Sequence, residues 1–84
     1  MKLFIVKEVL YDYSGGMVAI KAHNSAEARI FFINWIEQYC IPHYIERFIK
    51  EFDTSWKAGY YHVFELSDKD KNEAGVVTQI WGGG

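Results

Sequence analysis

The chain has little of what staples or interrupts small folds. One cysteine and one proline exclude a disulfide framework and a proline-rich linker. No apolar run approaches the roughly 20 residues that a membrane-spanning helix needs. The N-terminus, one lysine followed by a strand-like run, matches neither a signal peptide nor an amphipathic transit peptide, so the expected location is a reducing cytoplasm. An excess of charge is lacking too. Nine basic and eleven acidic residues leave a net charge of −2, unlike the clustered basic excess of a dedicated nucleic-acid binder. A chain of 84 residues makes one domain, 1–84. At that size folding buries roughly 60% of the unfolded chain's surface, so the core is thin.

What the chain does have is apolar and aromatic surface. Half of the residues are apolar, 24% are charged and 18% are aromatic, a globular composition with more rings than a thin core can cover. Residues 2–10 (KLFIVKEVL) read as a strand. The run Leu3-Phe4-Ile5-Val6 is apolar on both faces, as in an interior strand or one whose outer face is covered. Residues 11–16 (YDYSGG) read as a turn, and 17–23 (MVAIKAH) as a second strand paired antiparallel to the first. Asn24 followed by Glu27 resembles a capping box. It predicts a helix from Ser25 to about Tyr39 whose core arc holds Ala28, Phe31, Phe32, Trp35, Ile36 and Tyr39. Pro42 stops that helix and suits the first turn of a second, which shows Ile45, Phe48, Ile49 and Phe52 on one face through residue 52. Asp53-Thr54-Ser55-Trp56-Lys57-Ala58-Gly59 reads as a loop, residues 60–66 as a third strand, 67–75 as a charged turn and 76–81 as a fourth strand. Gly82-Gly83-Gly84 reads as a flexible tail. The expected fold is α+β: two hairpins forming a four-stranded antiparallel sheet with two helices on one face, in the order ββααββ.

Chemistry-bearing constellations are sparse. Cys40-Ile41-Pro42-His43 has Cys-x-x-His spacing, but a zinc site needs four ligands. There is no second cysteine, and His23 and His62 fall in different strands. As a nucleophile–base pair, Cys40 and His43 lack an orienting third group and an oxyanion hole, so a structural thiol is the better reading. Ser14-Gly15-Gly16 joins two strands, whereas phosphate-cradling loops open helices. No catalysis, metal or cofactor is expected. Base stacking on a sheet face could use Tyr60, Tyr61, His62 and Trp81. The element order is not that of an RNA-recognition motif, however, and Lys2, Lys7 and Lys21 make a small electrostatic footprint, so direct nucleic-acid binding is not the favoured reading.

The residues from Phe31 to Trp56 concentrate aromatics, most of them core. Tyr39, Tyr44 and Trp56, at helix ends or in the predicted loop, are candidate interface anchors. Ile30 and Ile33 lie outside the core arc of the first helix. The expected contact surface is therefore Ile30, Ile33, Tyr39, Tyr44, Trp56 and Tyr60, with homodimerisation as an associated expectation. The rival surface is the charged turn from Asp68 to Glu73, where alternating signs at Asp68, Lys69, Asp70 and Lys71 favour a solvated turn.

Met1-Lys2-Leu3-Phe4-Ile5-Val6, then Ala22-x-Asn24-x-x-Glu27-Ala28-Arg29, then Gly75-Val76-Val77, together resemble short phage and prophage accessory proteins. Those proteins have a ββαββ unit and an A-x-S-x-x-E-A helix start. Asn24 replaces the serine and keeps the capping role, and residues 40–59 are an extra element beside that pattern. A K-E-V strand followed by A-x-x-x-x-E-A is also similar to small phage inhibitors of CRISPR systems. The resemblance covers about half of the chain and carries over no functional residue. It implies a phage origin and a non-enzymatic inhibitor that binds a host defence protein or ribonucleoprotein complex, CRISPR-Cas being the specific expectation. The alternatives are a single-stranded nucleic-acid-binding module and a sponge for a nucleotide signal.

Overall fold

The chain runs β1 (Lys2–Asp12), β2 (Ser14–Ala22), α1 (Ser25–Tyr39), α2 (Pro42–Ala58), β3 (Tyr61–Glu65) and β4 (Gly75–Ile80). The structure is a computed structural model that describes residues 1–12, 14–66 and 74–82. The stretch from Asp68 to Glu73 and the last two glycines lie outside the described residues. The expected α+β class and the ββααββ order are both present.

The sheet is antiparallel, in the order β3-β1-β2-β4. β1 and β2 form the expected central hairpin. β3 and β4 do not form a second one: β3 pairs with β1 and β4 with β2. This corrects the two-hairpin expectation. Both flanking strands are short, five and six residues, which limits the unpaired edge each exposes.

The glycine pair is not the turn either. Gly15 and Gly16 lie within β2, and the last register pair of the hairpin is Asp12 with Ser14. Gly16 is required for close approach, because a Cβ there would overlap the Ile80 carbonyl oxygen of the neighbouring strand β4. Gly82, expected in a free tail, is buried, and its N–H donates to the Leu10 carbonyl at 2.9 Å.

The first helix starts where its cap predicts. The Asn24 side chain accepts the Glu27 N–H at 2.8 Å, and the Glu27 carboxylate accepts the His23 N–H at 3.1 Å. α1 ends at Cys40, whose N–H still reaches the Ile36 carbonyl. Pro42 opens α2. α2 continues through the predicted 53–59 loop to Ala58 because Phe52, Ser55 and Trp56 prolong its inward face. It stops at Gly59, which takes the left-handed conformation (φ 81°) that glycine adopts without steric cost.

Both helices cover one face of the sheet. Ala28, Phe32 and Ile36 of α1 and Phe48 and Phe52 of α2 pack with Phe4, Val6, Val18, Ile20 and Ala22 of the central strands. Phe31 and Trp35 are only half-buried, and Tyr39, placed on the core arc by its spacing, is 68% exposed. Arg29 ties α1 to α2 through paired hydrogen bonds to the Asp53 carboxylate at 2.8 and 3.0 Å.

Candidate contact surfaces

The six residues expected at a contact surface do not share one. Ile30 and Tyr39 are exposed on α1, but at about 100° per residue their separation sets them on opposite sides of the helix. Ile33 is half-buried. Trp56 is a packing residue. Its ring stacks on Tyr61 with centroids 4.0 Å apart and meets Phe52 and Phe4 at 6.2 and 5.8 Å. Tyr60 is exposed at the start of β3, where its carbonyl accepts the Lys7 N–H at 2.8 Å. What remains on the helix layer is an elbow between α1 and α2, where Tyr39, Ile41 and Tyr44 are exposed. Beside it Tyr11, Cys40, Tyr44, Arg47, Phe48 and Trp81 line an open cleft of about 460 Å³. Cys40 is half-buried and His43 exposed, its ring set edge-on to Tyr44. Among the described residues, no group of three or more His, Cys, Asp or Glu side chains could hold a metal. Among the described residues, no helix is long and apolar enough to cross a membrane.

A second cluster surrounds irregularities in β1. The register shifts after Lys7 and again after Val9, and Glu8 and Leu10 have φ of 57° and 56°, values uncommon for residues with a side chain. α2 supplies partners for the displaced backbone. Ser55 Oγ donates to the Glu8 carbonyl at 2.7 Å, the Tyr11 N–H donates to Glu51 Oε1 at 3.2 Å, and Arg47 Nη2 donates to the Tyr11 carbonyl at 3.1 Å. Arg47 also donates to Glu51, so this guanidinium is already engaged by a carboxylate. The Tyr11 hydroxyl donates to Glu8, which raises the Tyr11 pKa above its ordinary value. The bulges let both Val9 and Leu10 point into the core. The cluster holds the end of β1 in place.

The third surface is the sheet face turned away from the helices. The strand registers align Leu3, Ile5 and Lys7 of β1 with Lys21, Ala19 and Met17 of β2. They add Phe64 and His62 from β3 and Thr78 and Ile80 from β4. Side chains of paired residues share a face, so these ten form one surface. Its centre is aliphatic. Ala19 is only 5% exposed although both helices pack on the opposite side, while Phe64 and Ile80 at the flanks are 50% and 62% exposed. The two lysines are on the face with no carboxylate among these paired residues, and Glu8 is at the margin beside Gly15. The contact-residue reading from sequence missed this face. Its signal was present in Leu3-Phe4-Ile5-Val6, apolar on both sides of the strand.

Comparisons with protein families, curated proteins and solved structures find no match to the chain.

Proposed function

We propose that this protein is a non-enzymatic inhibitor, phage-encoded, that binds a host antiviral defence complex and blocks it by occupying a protein surface, with CRISPR-Cas as the specific target. The observation that carries a binding role is the aliphatic sheet face on which neither helix packs, with Phe64 and Ile80 exposed at its flanks. Leu3, Ile5, Met17 and Ala19 sit at its centre, and contiguous apolar surface of this kind marks interaction sites. The defence target is supported by the resemblance of the opening strand and helix start to small phage inhibitors.

The test is interference by a CRISPR-Cas system against a targeted phage, with and without the protein expressed. Wild type is expected to restore phage plating by at least a hundredfold. The pair Phe64→Glu and Ile80→Glu, on exposed flanks of the face, is expected to lose that effect while remaining folded. Intact interference in the presence of well-expressed wild type removes the proposed target.

A nucleic-acid-binding reading is favoured by one observation: Lys7, Lys21, His62 and Phe64 share the same sheet face. Retention on single-stranded DNA, lost on charge reversal of both lysines, would select it.

A further inference from the structure

We infer that the partner places on the open sheet face an apolar helix flanked by carboxylates; the inference rests on the binding reading above and names the chemistry of that partner. The face presents side chains, not backbone. Among the described strands, the free sheet edges are the outer sides of β3 and β4, so an occupant of the face is held by side-chain burial and charge. The aliphatic centre, Leu3 and Ile5 beside Ala19 and Met17, is two strands wide. With its flanking side chains that strip is about 10 Å across, the width of one helix.

Charge then specifies the flanks. Lys7 stands opposite Met17 at one end of the strip, and Lys21 stands opposite Leu3 at the other. These positions lie four residues apart along the strands, about 13 Å. Two carboxylates eight residues apart on a helix are separated by about 12 Å along its axis and by about 80° around it, which sends one toward each of the two neighbouring strands that carry the lysines. A helix that buries aliphatic residues between two such carboxylates would meet both lysines. His62, beside Ile5, adds a ring N–H that can donate to a carboxylate.

The other occupants fit less well. A second copy packed face to face would set four lysines against one another. Four strands by five residues also cover only about 19 × 17 Å, well short of the roughly 800 Å² per partner of a standard interface. That footprint matches one helix of about 12 residues. Single-stranded nucleic acid needs rings to stack on. The central strands offer aliphatics there, and the aromatics Phe64 and His62 stand on an edge strand, 6.5 Å apart and tilted by 32°.

The test uses the full chain, labelled with ¹⁵N, and two designed helical peptides with the same leucine stripe. One carries glutamates eight residues apart along its flanks, the other lysines. The glutamate peptide is expected to shift the amides of Ile5, Ala19 and His62. Binding is expected to be at least tenfold weaker for the lysine peptide, and for the glutamate peptide against the Lys7→Glu, Lys21→Glu variant. Equal binding of both peptides overturns the inference, as does no shift with the glutamate peptide at millimolar concentration. It also falls if a 15-nucleotide oligo-dT shifts those amides in place of the peptide, or if sedimentation shows a dimer whose formation protects this face. Interference assays separate the two levels. Loss of inhibition in Phe64→Glu, Ile80→Glu but not in Lys7→Glu, Lys21→Glu sinks the acidic helix and leaves the inhibitor reading standing. Intact inhibition in both sinks the face as the inhibitor's working surface, whatever the peptides do.

Discussion

Ser55 is the one buried polar side chain among the described residues, and its hydroxyl has a specific task. It donates to the Glu8 carbonyl where β1 leaves regular strand geometry. Removing a partner of this kind leaves a carbonyl without its bond, at a cost of about 1–3 kcal/mol. Ser55→Ala is therefore expected to lower the urea midpoint without changing the slope, and Ser55→Thr to retain more of the stability. Gly16→Ala is expected to cost more than about 1 kcal/mol, because the added methyl collides with backbone that cannot swing aside. Its signature in hydrogen exchange should be faster exchange at the β2–β4 pairing, with α2 less affected. An unchanged midpoint for Gly16→Ala would show that β4 can move away freely. Neither role is legible in the sequence. A glycine pair between two strand-like runs reads as a turn, and Ser55, within Asp53 to Gly59, reads as part of a loop. The trace that was there is the break in alternation at Lys7-Glu8-Val9-Leu10, two polar residues and then two apolar ones, where the bulges put both Val9 and Leu10 inside.

At the scale of elements, local chemistry sets the helices and long-range packing sets the sheet. The Asn24 cap and Pro42 fixed the helix starts because their interactions lie within four residues. Asn24→Ala is expected to cost about 1 kcal/mol, read by thermal unfolding. Strand pairing was less legible. That β3 would join β1 and β4 would join β2 depends on contacts between distant residues, such as Ile5 with His62 and Met17 with Ile80, and no alternation within either strand encodes them. The extension of α2 over Asp53 to Ala58 was obscured by Asp, Thr and Ser, weak helix formers that tertiary contacts override here. Asp53 is held there by Arg29, whose paired hydrogen bonds lower the carboxyl pKa below its ordinary value. A depressed folded pKa contributes stability above the unfolded value of 3.8. That contribution is lost as pH falls through the lower, folded value. The pair is substantially exposed, so it is worth less than about 1 kcal/mol. Asp53→Asn should reduce stability by that amount at pH 7, with the difference from wild type shrinking below about pH 4 and in high salt.

The whole molecule is a two-layer fold with apolar residues on both sides of one layer. On the helix side, burial explains them: Phe4, Val6, Val18 and Ile20 contact α1 and α2 residues in a single core cluster. On the other side, Leu3, Ile5, Met17 and Ala19 occupy the same two strands with no helix above them. The helix layer has its own exposed apolar group at the elbow, Tyr39, Ile41 and Tyr44, and the two surfaces lie on opposite sides of the sheet. They can be told apart by function. Trp56→Ala does not serve for this, because the ring packs on Phe4, Phe52 and Tyr61 and its removal is expected to cost about 3 kcal/mol. Tyr39→Ala with Tyr44→Ala truncates exposed rings and should shift stability by less than about 1 kcal/mol, as should Phe64→Glu with Ile80→Glu on the sheet side. If the sheet face is the working surface, the tyrosine pair keeps partner binding within about threefold of wild type, while the sheet pair loses it by well over tenfold, roughly the penalty of setting carboxylates against an apolar contact. The reverse pattern, at equal folded fractions by near-UV dichroism, would assign the working surface to the elbow and return the sheet face to a structural role.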